Sequence, residues 1–371
     1  MDLINEYLKY MVEVDASDIY FTVGVPPAFR VEGIVTPYGD KVLTSEDTHN
    51  FAYSIMNDQQ KKKFEEEMEM NLAIFQPQYG RFRVNIFRQK SFVGIVIRQI
   101  KLTIKTIDDW GLPAVMKDIC MSKRGLVLVV GATGSGKSTT LAALIDYRNS
   151  NQRGHIITIE DPVEFVHQHK MSVITQREVG FDTLNFFNAL KNTLRQAPDV
   201  ILIGEIRDAE TMEDAITFAE TGHLCLATLH ANNANQAIER ILNFFPIERH
   251  LQIYMQLSLN MRAIVSQRLV PTVEGKRAAL IEILLDSPRV KDLILKGEIT
   301  LLKETMAESY FEGMQTFDQH IFDMYQAGIL DLNNAIAYAD SPNDVRLKIK
   351  MSEMKPGDSK EKSDSGLKLK R

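Results

Sequence analysis

Two hydrophobic patterns divide this chain. In its first hundred residues, apolar and polar positions alternate with period two over 81–88, and 92–98 is more continuously apolar. Each of these patterns predicts a strand. Two further strands joined by a turn are predicted within 18–36, a helix over 3–14, and a charge-rich helical stretch over 45–70. The first hundred residues are therefore predicted to form a small α+β domain.

A different pattern follows, in which short apolar runs alternate with helical segments. The runs lie at 126–130, 156–159, 200–203 and 224–229. Short, wholly apolar strands separated by helices are typical of βαβ units with a parallel sheet. From about 236 to 345 the pattern is mostly helical. The sequence thus predicts a larger α/β domain that ends in helices.

These patterns place the domain boundaries. We predict an N-terminal domain over 1–100, a linker over 101–113 that ends in Gly-Leu-Pro, and a larger α/β domain with C-terminal helices over 114–350. Residues 351–371 are rich in Lys, Ser, Asp and Gly. Such a composition cannot bury enough apolar surface to order itself, so this segment is predicted to be a disordered tail.

Composition narrows the class of protein. The chain has 371 residues, enough for two domains, and its 44% apolar and 25% charged residues are typical of a soluble globular protein. A net charge of -6 argues against nucleic acid as the main partner. The two cysteines lack metal-ligand spacing. With no signal peptide pattern and no apolar run of the ~18 residues that span a bilayer, a cytoplasmic protein is expected.

The segment 131–138 carries the most specific chemistry. It reads Gly-Ala-Thr-Gly-Ser-Gly-Lys-Ser, between the apolar strand at 126–130 and a helical run, and matches the phosphate-binding loop G-x-x-x-x-G-K-[ST]. Glycines let backbone N–H groups converge on phosphate oxygens, and the helix N-terminus adds positive charge. The residues predicted to bind ATP are Gly131, Ala132, Thr133, Gly134, Ser135, Gly136, Lys137, Ser138 and Thr139.

Polar residues follow three other predicted strands. In parallel sheets ligands bind beyond the carboxyl ends of the strands, so these residues are expected near the loop. Glu205 directly follows the strand at 200–203, where a Walker-B carboxylate belongs, and is predicted to ligate Mg²⁺ together with the Ser138 hydroxyl. Glu164 is the other candidate to orient the attacking water. His230 is either a structural histidine or a sensor of the γ-phosphate.

Four segments in order, together with the N-terminal pattern, resemble a known family. They are the loop at 131–138, Thr-Ile-Glu-Asp-Pro-Val-Glu at 158–164, Gly-Glu-Ile-Arg-Asp at 204–208, and the stretch from 221 to 231 with its two histidines. They are similar to the phosphate loop, Asp box, Walker B and His box of the secretion and pilus ATPases. The segment 16–33 resembles the PAS-like domain of the PilT/PilU twitching-motility ATPases.

The resemblance implies a fold and a mechanism. It implies a RecA-like P-loop ATPase domain behind a smaller α+β PAS-like domain, assembled into a homohexamer that hydrolyses ATP with Mg²⁺ and powers or assists pilus retraction. It assigns the catalytic glutamate to Glu164 and a Mg²⁺ role to Glu205. It also implies that arginines of the N-terminal domain reach the nucleotide, and the matching positions are Arg83 and Arg98.

Within the family, the chain is more similar to the PilU branch. PilT carries AIRNLIRE where residues 289–296 here read Arg-Val-Lys-Asp-Leu-Ile-Leu-Lys. The partners implied are a PilT-like retraction ATPase and an inner-membrane platform protein, with the ring cytoplasmic and peripheral at that membrane. An accessory ATP-binding ring that supports a partner motor is the alternative. A nucleic-acid translocase is disfavoured by the acidic balance.

Overall fold

The computed structural model describes residues 2–31, 33–100 and 103–353, which group by their internal contacts into two units. Unit 1 comprises the chain up to residue 104 with 162–168 and 176–184, and unit 2 comprises the remainder. The predicted tail from 354 onward and residues 101 and 102 of the predicted linker lie outside the described residues.

Unit 1 contains a six-stranded antiparallel sheet with three helices. The strand order is β3-β2-β1-β6-β5-β4. Its elements are α1 (Asp2–Glu13), β1 (Asp18–Phe21), β2 (Ala28–Val31), β3 (Ile34–Pro37), α2 (Ser45–Ile55), α3 (Asp58–Glu67), β4 (Glu69–Gln76), β5 (Gly80–Gln89) and β6 (Phe92–Ile100).

One face of this sheet is buried. Along β5, Phe82, Val84 and Ile86 are buried while Arg81 and Arg83 alternate with them on the other face. Period-two side-chain direction in a strand produces this division directly from the sequence. The α+β prediction is confirmed, although β3 and β4 were not predicted: β4 begins at Glu69, where the helical prediction over 45–70 still continued.

Unit 2 is built on a seven-stranded sheet of order β13-β12-β7-β11-β10-β8-β9. Its strands are β7 (Gly125–Val130), β8 (Gly154–Glu160), β9 (Ser172–Glu178, whose last residues belong to unit 1), β10 (Val200–Ile203), β11 (Leu224–Leu229), β12 (Met261–Pro271) and β13 (Arg277–Leu285). Its α-helices are α4 (Val115–Cys120), α5 (Lys137–Asn151), α6 (Phe186–Thr193), α7 (Ala209–Glu220), α8 (Ala234–Leu242), α9 (His250–Asn260), α10 (Pro288–Lys296), α11 (Leu302–Glu308), α12 (Phe317–Gln326), α13 (Leu332–Ala337) and α14 (Pro342–Glu353).

The central strands of this sheet run parallel. Strand β7 pairs with β11 on one side and β12 on the other, and β10 pairs with β11 and β8, all in parallel register. Every residue of β7, β10 and β11 is buried, as their continuous apolar runs predict. The predicted α/β fold with a parallel sheet is confirmed, and the carboxyl ends of β7, β11, β10 and β8 meet at one edge.

The mostly helical prediction for 236–345 is wrong in part. Strands β12 and β13 form an antiparallel pair there, with Ala263 opposite Leu285 and Pro271 opposite Arg277. Their central residues are buried on both faces. A strand covered on both faces has a continuous apolar run, which periodicity alone cannot distinguish from a buried helix.

Parts of the predicted linker and of the predicted tail belong to packed structure. Ile107 and Leu112, inside the predicted linker, are buried in the core of unit 2. At the other end, α14 extends to Glu353, three residues into the predicted tail. The Tyr325 hydroxyl donates a hydrogen bond of 2.6 Å to Glu353 Oε1 there. Among the described residues, no helix is both long enough and apolar enough to cross a bilayer.

Asp214 on α7 gives unit 2 a measurable pH dependence. Burial, followed by the charges of Glu210, Glu213 and Asp208, raises the pKa of Asp214 to about 6. Since this carboxyl has a higher pKa folded than unfolded, its ionisation destabilises the fold as pH rises through about 6. We expect Asp214→Asn to stabilise unit 2 by about 1–2 kcal/mol at pH 7.5, after allowance for partial exposure.

The stabilisation is measured as the difference in thermal midpoint between variant and wild type. That difference should shrink as pH falls from about 6 and vanish only well below the ordinary Asp pKa of 3.8, where the carboxyl is protonated in both the folded and the unfolded chain. Glu308→Gln, at an exposed position of α11, is the matched control and should leave the thermal midpoint unchanged at both pH 4 and pH 7.5. An equal gain for Asp214→Asn at pH 4 and pH 7.5 would contradict the electrostatic explanation.

Candidate active site

The phosphate loop connects β7 to α5 at the carboxyl edge of the parallel sheet. Gly136, the N-cap of α5, has φ 88°, and Gly134 has φ 77°, a backbone region that favours glycine. Lys137 is the first residue of the helix. The loop therefore ends where the N–H groups of the first helical turn have no partner within the helix, which is the usual binding site for phosphate.

Two loop glycines are required by close packing against β12. A Cβ at Gly131 would lie 2.4 Å from the Gln267 carbonyl oxygen and 2.4 Å from Ser135 Oγ. A Cβ at Gly136 would lie 2.8 Å from Gln267 Nε2. A contact below 3.0 Å forces a neighbour to move, which is costly at Gly131, where that neighbour is backbone, and less so at Gly136, where it is the end of a side chain. The loop glycines thus serve the shape of the loop as well as access to phosphate.

Two side chains of the loop suit an anionic ligand. Lys137 Nζ donates to the carbonyl oxygens of Gly131 and Ala132 at 2.8 and 3.0 Å, so its ammonium lies over the loop. In the part of the chain that the structure describes, the buried Ser135 Oγ has no hydrogen-bond partner. A buried hydroxyl is normally paired, so an orphaned one in this loop fits a ligand that accepts its hydrogen bond.

Glu205 lies just beyond the end of β10, and its carboxylate is held between the side chains of Arg207 and His230. Arg207 Nε donates a 2.6 Å hydrogen bond to Glu205 Oε2, and His230 Nε2 lies 2.7 Å from Glu205 Oε1. Arg207 also reaches Asp161 Oδ2 at 3.5 Å. The hydrogen bond with the Glu205 carboxylate is the largest of the effects that raise the pKa of Arg207. His230 thus lies beside Glu205, the predicted Walker-B carboxylate, and both belong to one network of hydrogen bonds and ion pairs with Arg207 and Asp161.

Backbone contacts fix the strand ends that carry these groups. Thr228 Oγ1 donates to the Gly204 carbonyl oxygen at 2.5 Å, and the Ile206 N–H donates to the Thr228 carbonyl at 2.9 Å. A Cβ at Gly204 would lie 3.0 Å from the Cα of Glu160. This close approach of β10 to β8 leaves no room for a side chain before Glu205.

A buried carboxylate anchors the segment that follows His230. Glu282 of β13 is 1% exposed and accepts hydrogen bonds of 2.9 Å from the Ala234 N–H and from Ser266 Oγ. Burial raises the pKa of Glu282. Since Ala234 begins α8, this bond fixes the helix start and with it the short segment between His230 and the helix.

The loop borders three cavities of unit 2. One of about 290 Å³ lies beside Gly131 and Ala132 and includes His230, Gln236 and Arg240. A second, of about 550 Å³, lies over the loop from Gly131 to Ser135, with Arg268 and Arg277 in its wall. A third, of about 870 Å³, lies beside Gly136 and Thr139 and includes Trp110. The second and third share Gln267, Leu269 and Arg277 in their walls and together provide space beside the loop for an extended anionic ligand.

The other predicted site residues lie in unit 1. Arg83 of β5 and Arg98 of β6 are directly opposite each other in the sheet register. Glu164 is exposed, in the 162–168 segment that belongs to this unit. Arg83 NH2 donates to the Val163 carbonyl at 3.4 Å, next to Glu164, while Arg98 Nε donates to Asp18 Oδ1 at 2.8 Å. The structure therefore brings Arg83, Arg98 and Glu164 into one region of unit 1.

A buried acid, Glu178, compensates two of the three arginines of β5, Arg81 and Arg83. It is 2% exposed and lies 3.5 Å from Arg81 NH2 and 3.6 Å from Arg83 NH2. Burial raises the pKa of Glu178, and both arginines oppose that shift. Burial also lowers the pKa of Arg83, against the charge of Glu178, and the opposed Arg98 lowers it further. Like charges directly opposite in a sheet are destabilising, so the Arg83–Arg98 pair needs its acidic neighbours.

We expect Glu178→Ala to destabilise unit 1 by about 2–3 kcal/mol, because it leaves two partly buried guanidinium groups without their acid. The loss is measured as the change in thermal midpoint. Glu65→Ala, which removes an exposed partner of Arg88 at 3.2 Å, is the control and should shift the midpoint little. Equal shifts for the two variants would show that the burial of Glu178 adds nothing.

The oxygen donors of unit 2 fit a magnesium ion that is shared with phosphates. Ser138 offers a hydroxyl in the first turn of α5, and Glu205 offers a carboxylate. Over the ranges described here, no group of three or more His, Cys, Asp or Glu side chains is arranged to hold a metal ion. Mg²⁺ is commonly held by one or two protein oxygens with waters and substrate phosphates, so such a cage is not required.

Sequence reasoning missed three buried polar residues beside the site: Glu178, Gln267 and Glu282. Glu282 had a signal, because it interrupts the apolar run at 278–285, whereas Gln267 lies in the polar triplet Ser-Gln-Arg at 266–268. A polar side chain within such a run must be hydrogen-bonded, which marks it as part of a specific contact. Glu178 had no such signal, since the strand β9 that carries it was not predicted.

This chain is similar to known proteins over most of its length. Residues 1–310 match the family described as Type II/IV secretion system protein. The chain is 53% identical over 366 residues to the type IV pilus ATPase PilU of Pseudomonas aeruginosa, covering 98% of this chain and 96% of that protein. It is 40% identical over 339 residues to the pilus ATPase PilT of the same organism, covering 91% and 98%.

A solved structure agrees with the fold. The crystal structure of the pilus retraction motor PilT with bound ADP superposes on this chain with a TM-score of 0.86 at 38% identity, covering 93% of this chain and 99% of that one. The RecA-like ATPase domain with a smaller N-terminal domain, and the family resemblance itself, are thereby confirmed. The higher identity to PilU than to PilT agrees with the residues at 289–296. The chain belongs to the Type II/IV secretion system protein family and, within it, to the type IV pilus ATPases that include PilU and PilT.

Proposed function

We propose that this protein is a motor of the type IV pilus machinery that hydrolyses ATP to ADP and phosphate and powers or assists pilus retraction. One observation carries the proposal. The phosphate loop with Lys137 lies at the end of β7, and the Glu205–His230 pair lies at the ends of the next two strands, β10 and β11. Phosphate binding and a carboxylate for hydrolysis thus meet at one sheet edge.

Each residue of the loop has a proposed role in binding. Backbone N–H groups of 131–139 and the Lys137 ammonium hold the phosphate oxygens. Ser138 and Glu205 hold Mg²⁺, which, when bound, neutralises charge on the phosphates. The hydrogen bonds of Lys137 to the Gly131 and Ala132 carbonyls keep its ammonium at the loop. Thr139 follows in the first turn of α5 and lines the larger cavity.

Hydrolysis itself depends on carboxylates and cations. Glu164 accepts a proton from the attacking water. At the same time the water oxygen bonds to the γ-phosphorus, and the bond between the γ-phosphorus and the ADP oxygen breaks. Arg83 and Arg98 stabilise the negative charge spread over the γ-phosphoryl oxygens. His230, at 2.7 Å from Glu205, is placed to sense the γ-phosphate through that carboxylate. Arg83 is ion-paired with Glu178 and Arg98 with Asp18, and these pairs keep the two guanidinium groups in defined positions.

Purified full-length protein tests the proposal directly. Phosphate release from ATP should require Mg²⁺ and stop on addition of EDTA, and the native mass should be that of a hexamer. We further propose that this homohexamer is cytoplasmic, peripheral at the inner membrane, and contacts a platform protein and a PilT-like ATPase. An absence of phosphate release above a protein-free blank, with Mg²⁺ present, would refute the proposed activity.

The second candidate is an accessory ATP-binding ring that supports a partner retraction ATPase. Helix α10 favours it, because this helix stands where PilT carries AIRNLIRE. It presents Arg289, Lys296 and Asp292 in an ion-paired surface, with Asp292 Oδ2 at 3.6 and 2.8 Å from the two cations. Leu295 on the same helix is 44% exposed. This different surface suits a different partner.

Cells that contain the partner motor separate the two candidates. Lys137→Ala would be introduced into this protein while the partner stays intact, and retraction would be scored by twitching. Undiminished retraction indicates a supporting ring, and lost or slowed retraction indicates that hydrolysis by this chain contributes force. Wild-type cells and a deletion of this gene set the two limits of the scale.

A further inference from the structure

We infer that Gln267 is a positioning residue for the phosphate loop. This inference rests on the proposed ATPase activity but concerns a residue outside the loop motif, on β12. Gln267 is 3% exposed and sits between the loop backbone and the first turns of α5. Gln267 also lines the two larger cavities beside the loop, and its role would be to fix the loop conformation that binds phosphate.

Both ends of the Gln267 amide are used. Its Nε2 donates a 2.8 Å hydrogen bond to the Ser135 carbonyl oxygen, and its Oε1 accepts a 2.6 Å bond from the Thr140 hydroxyl. The carbonyl can only accept, so the nitrogen must face it and the oxygen must face Thr140. The amide orientation is therefore determined by its partners. Thr140 is itself 2% exposed, so water does not compete for these bonds.

Gln267 also lies against two glycines of the loop. Two of its atoms, the backbone oxygen and Nε2, occupy the space next to Gly131 and Gly136 that a Cβ would need. One side chain and its own backbone thus account for the glycines at both ends of the loop. The loop is shaped against this residue, and a change at 267 changes the surface on which the loop rests.

The hydrogen bond to Ser135 has a direct consequence for phosphate. In a trans peptide the C=O and the following N–H point in opposite directions. Since the Ser135 carbonyl is held toward the Gln267 amide, the Gly136 N–H points away from that amide. Anion-binding loops work by aligning such N–H groups on one side. Gln267 therefore selects the peptide orientation that presents an N–H, and not a carbonyl oxygen, to the phosphates.

The decisive variant is Gln267→Leu, which keeps the volume and removes both hydrogen bonds. We expect kcat/KM for ATP to fall about 10- to 100-fold, because a buried carbonyl loses its donor and the loop peptide loses its fixed orientation. Affinity for ATP, measured by equilibrium binding to the full chain, should fall by a similar factor. Thr140→Val should give part of this loss, and Thr140→Ser, which keeps the hydroxyl, should restore it.

The chain provides a matched control. Gln315 is 8% exposed in the same unit, and its Nε2 donates a 2.9 Å bond to the Ile281 carbonyl, but it borders none of the three cavities beside the loop. Gln315→Leu removes an equivalent buried hydrogen bond and should lower the thermal midpoint without changing ATP affinity. Activities are compared well below both midpoints, so that loss of folding does not enter.

Two results would overturn the inference. The first is a Gln267→Leu variant that binds and hydrolyses ATP like Gln315→Leu, with only stability reduced. The second is full additivity of Thr140→Val and Gln267→Leu in ATP affinity, since partners in one network should be coupled. If the wild-type chain hydrolyses no ATP, the proposed function fails, while the ATP-binding comparison of the two glutamine variants still decides the role of Gln267.

Discussion

Lys137→Ala is expected to reduce kcat/KM for ATP about 10²- to 10³-fold, the effect of removing one preorganised electrostatic group from a water-poor site. The Lys137 ammonium lies over the loop, bonded to the Gly131 and Ala132 carbonyls. Its removal takes a full positive charge from the phosphate site and also unties those two carbonyls. Phosphate release at saturating Mg²⁺, with ATP affinity measured separately, reports both losses.

Lys170→Ala is the control for this prediction. Lys170 Nζ donates a 2.8 Å bond to Asp146 Oδ2 in the middle of α5, so its removal perturbs the same helix away from the loop. We expect hydrolysis by Lys170→Ala to remain near the wild-type rate. If Lys137→Ala retained wild-type turnover while the thermal midpoint was unchanged, the loop would not be the site of hydrolysis.

The second large effect is expected to separate two glutamates by role. Glu164→Gln should retain ATP binding and lose about 10²- to 10⁴-fold in kcat, because the amide cannot accept the proton of the attacking water. Glu205→Gln should instead raise the Mg²⁺ concentration needed for half-maximal rate, since an amide oxygen is a weaker ligand for Mg²⁺ than a carboxylate. A magnesium titration of phosphate release on both variants distinguishes these outcomes.

The control for Glu164 is Glu66→Gln, at an exposed position of α3 in the same unit, which should leave both parameters unchanged. The opposite pattern is equally informative. Normal hydrolysis by Glu164→Gln together with an inactive Glu205→Gln would reverse the two roles. The 2.6 Å bond from Arg207 to Glu205 would then hold the base and not a magnesium ligand.

Local sequence patterns predicted the elements that are amphipathic or fully covered by their neighbours. Strands β5, β7, β8, β10 and β11 were recognised because alternation or a short apolar run between turns has few other interpretations. Strands β12 and β13 were read as helical, since Leu, Met, Gln and Arg with buried apolar runs suit either state. The pairing of β13 with β12 and of β12 with β7 favours the strand state, and that pairing forms only in the tertiary structure.

The same distinction applies to the site. The loop at 131–138 could be recognised because its chemistry lies in eight consecutive residues. Glu205 and His230 were located by their place at strand ends, and the structure then joins them through a 2.7 Å contact. Gln267 could not be linked to the loop, because its partners Ser135 and Thr140 are 132 and 127 positions away. Glu178 and Arg83 are likewise brought together only by folding.

The sequence by itself determined that this chain binds a nucleotide triphosphate on a parallel α/β sheet, because both signals are local: a spaced loop motif and apolar runs of strand length. Its motifs also determined the family. Only the tertiary structure decided which buried polar groups support the loop and the arginines. Those choices depend on contacts between residues far apart in sequence, where a hydrogen bond forms only after the sheet has brought both partners together and excluded water.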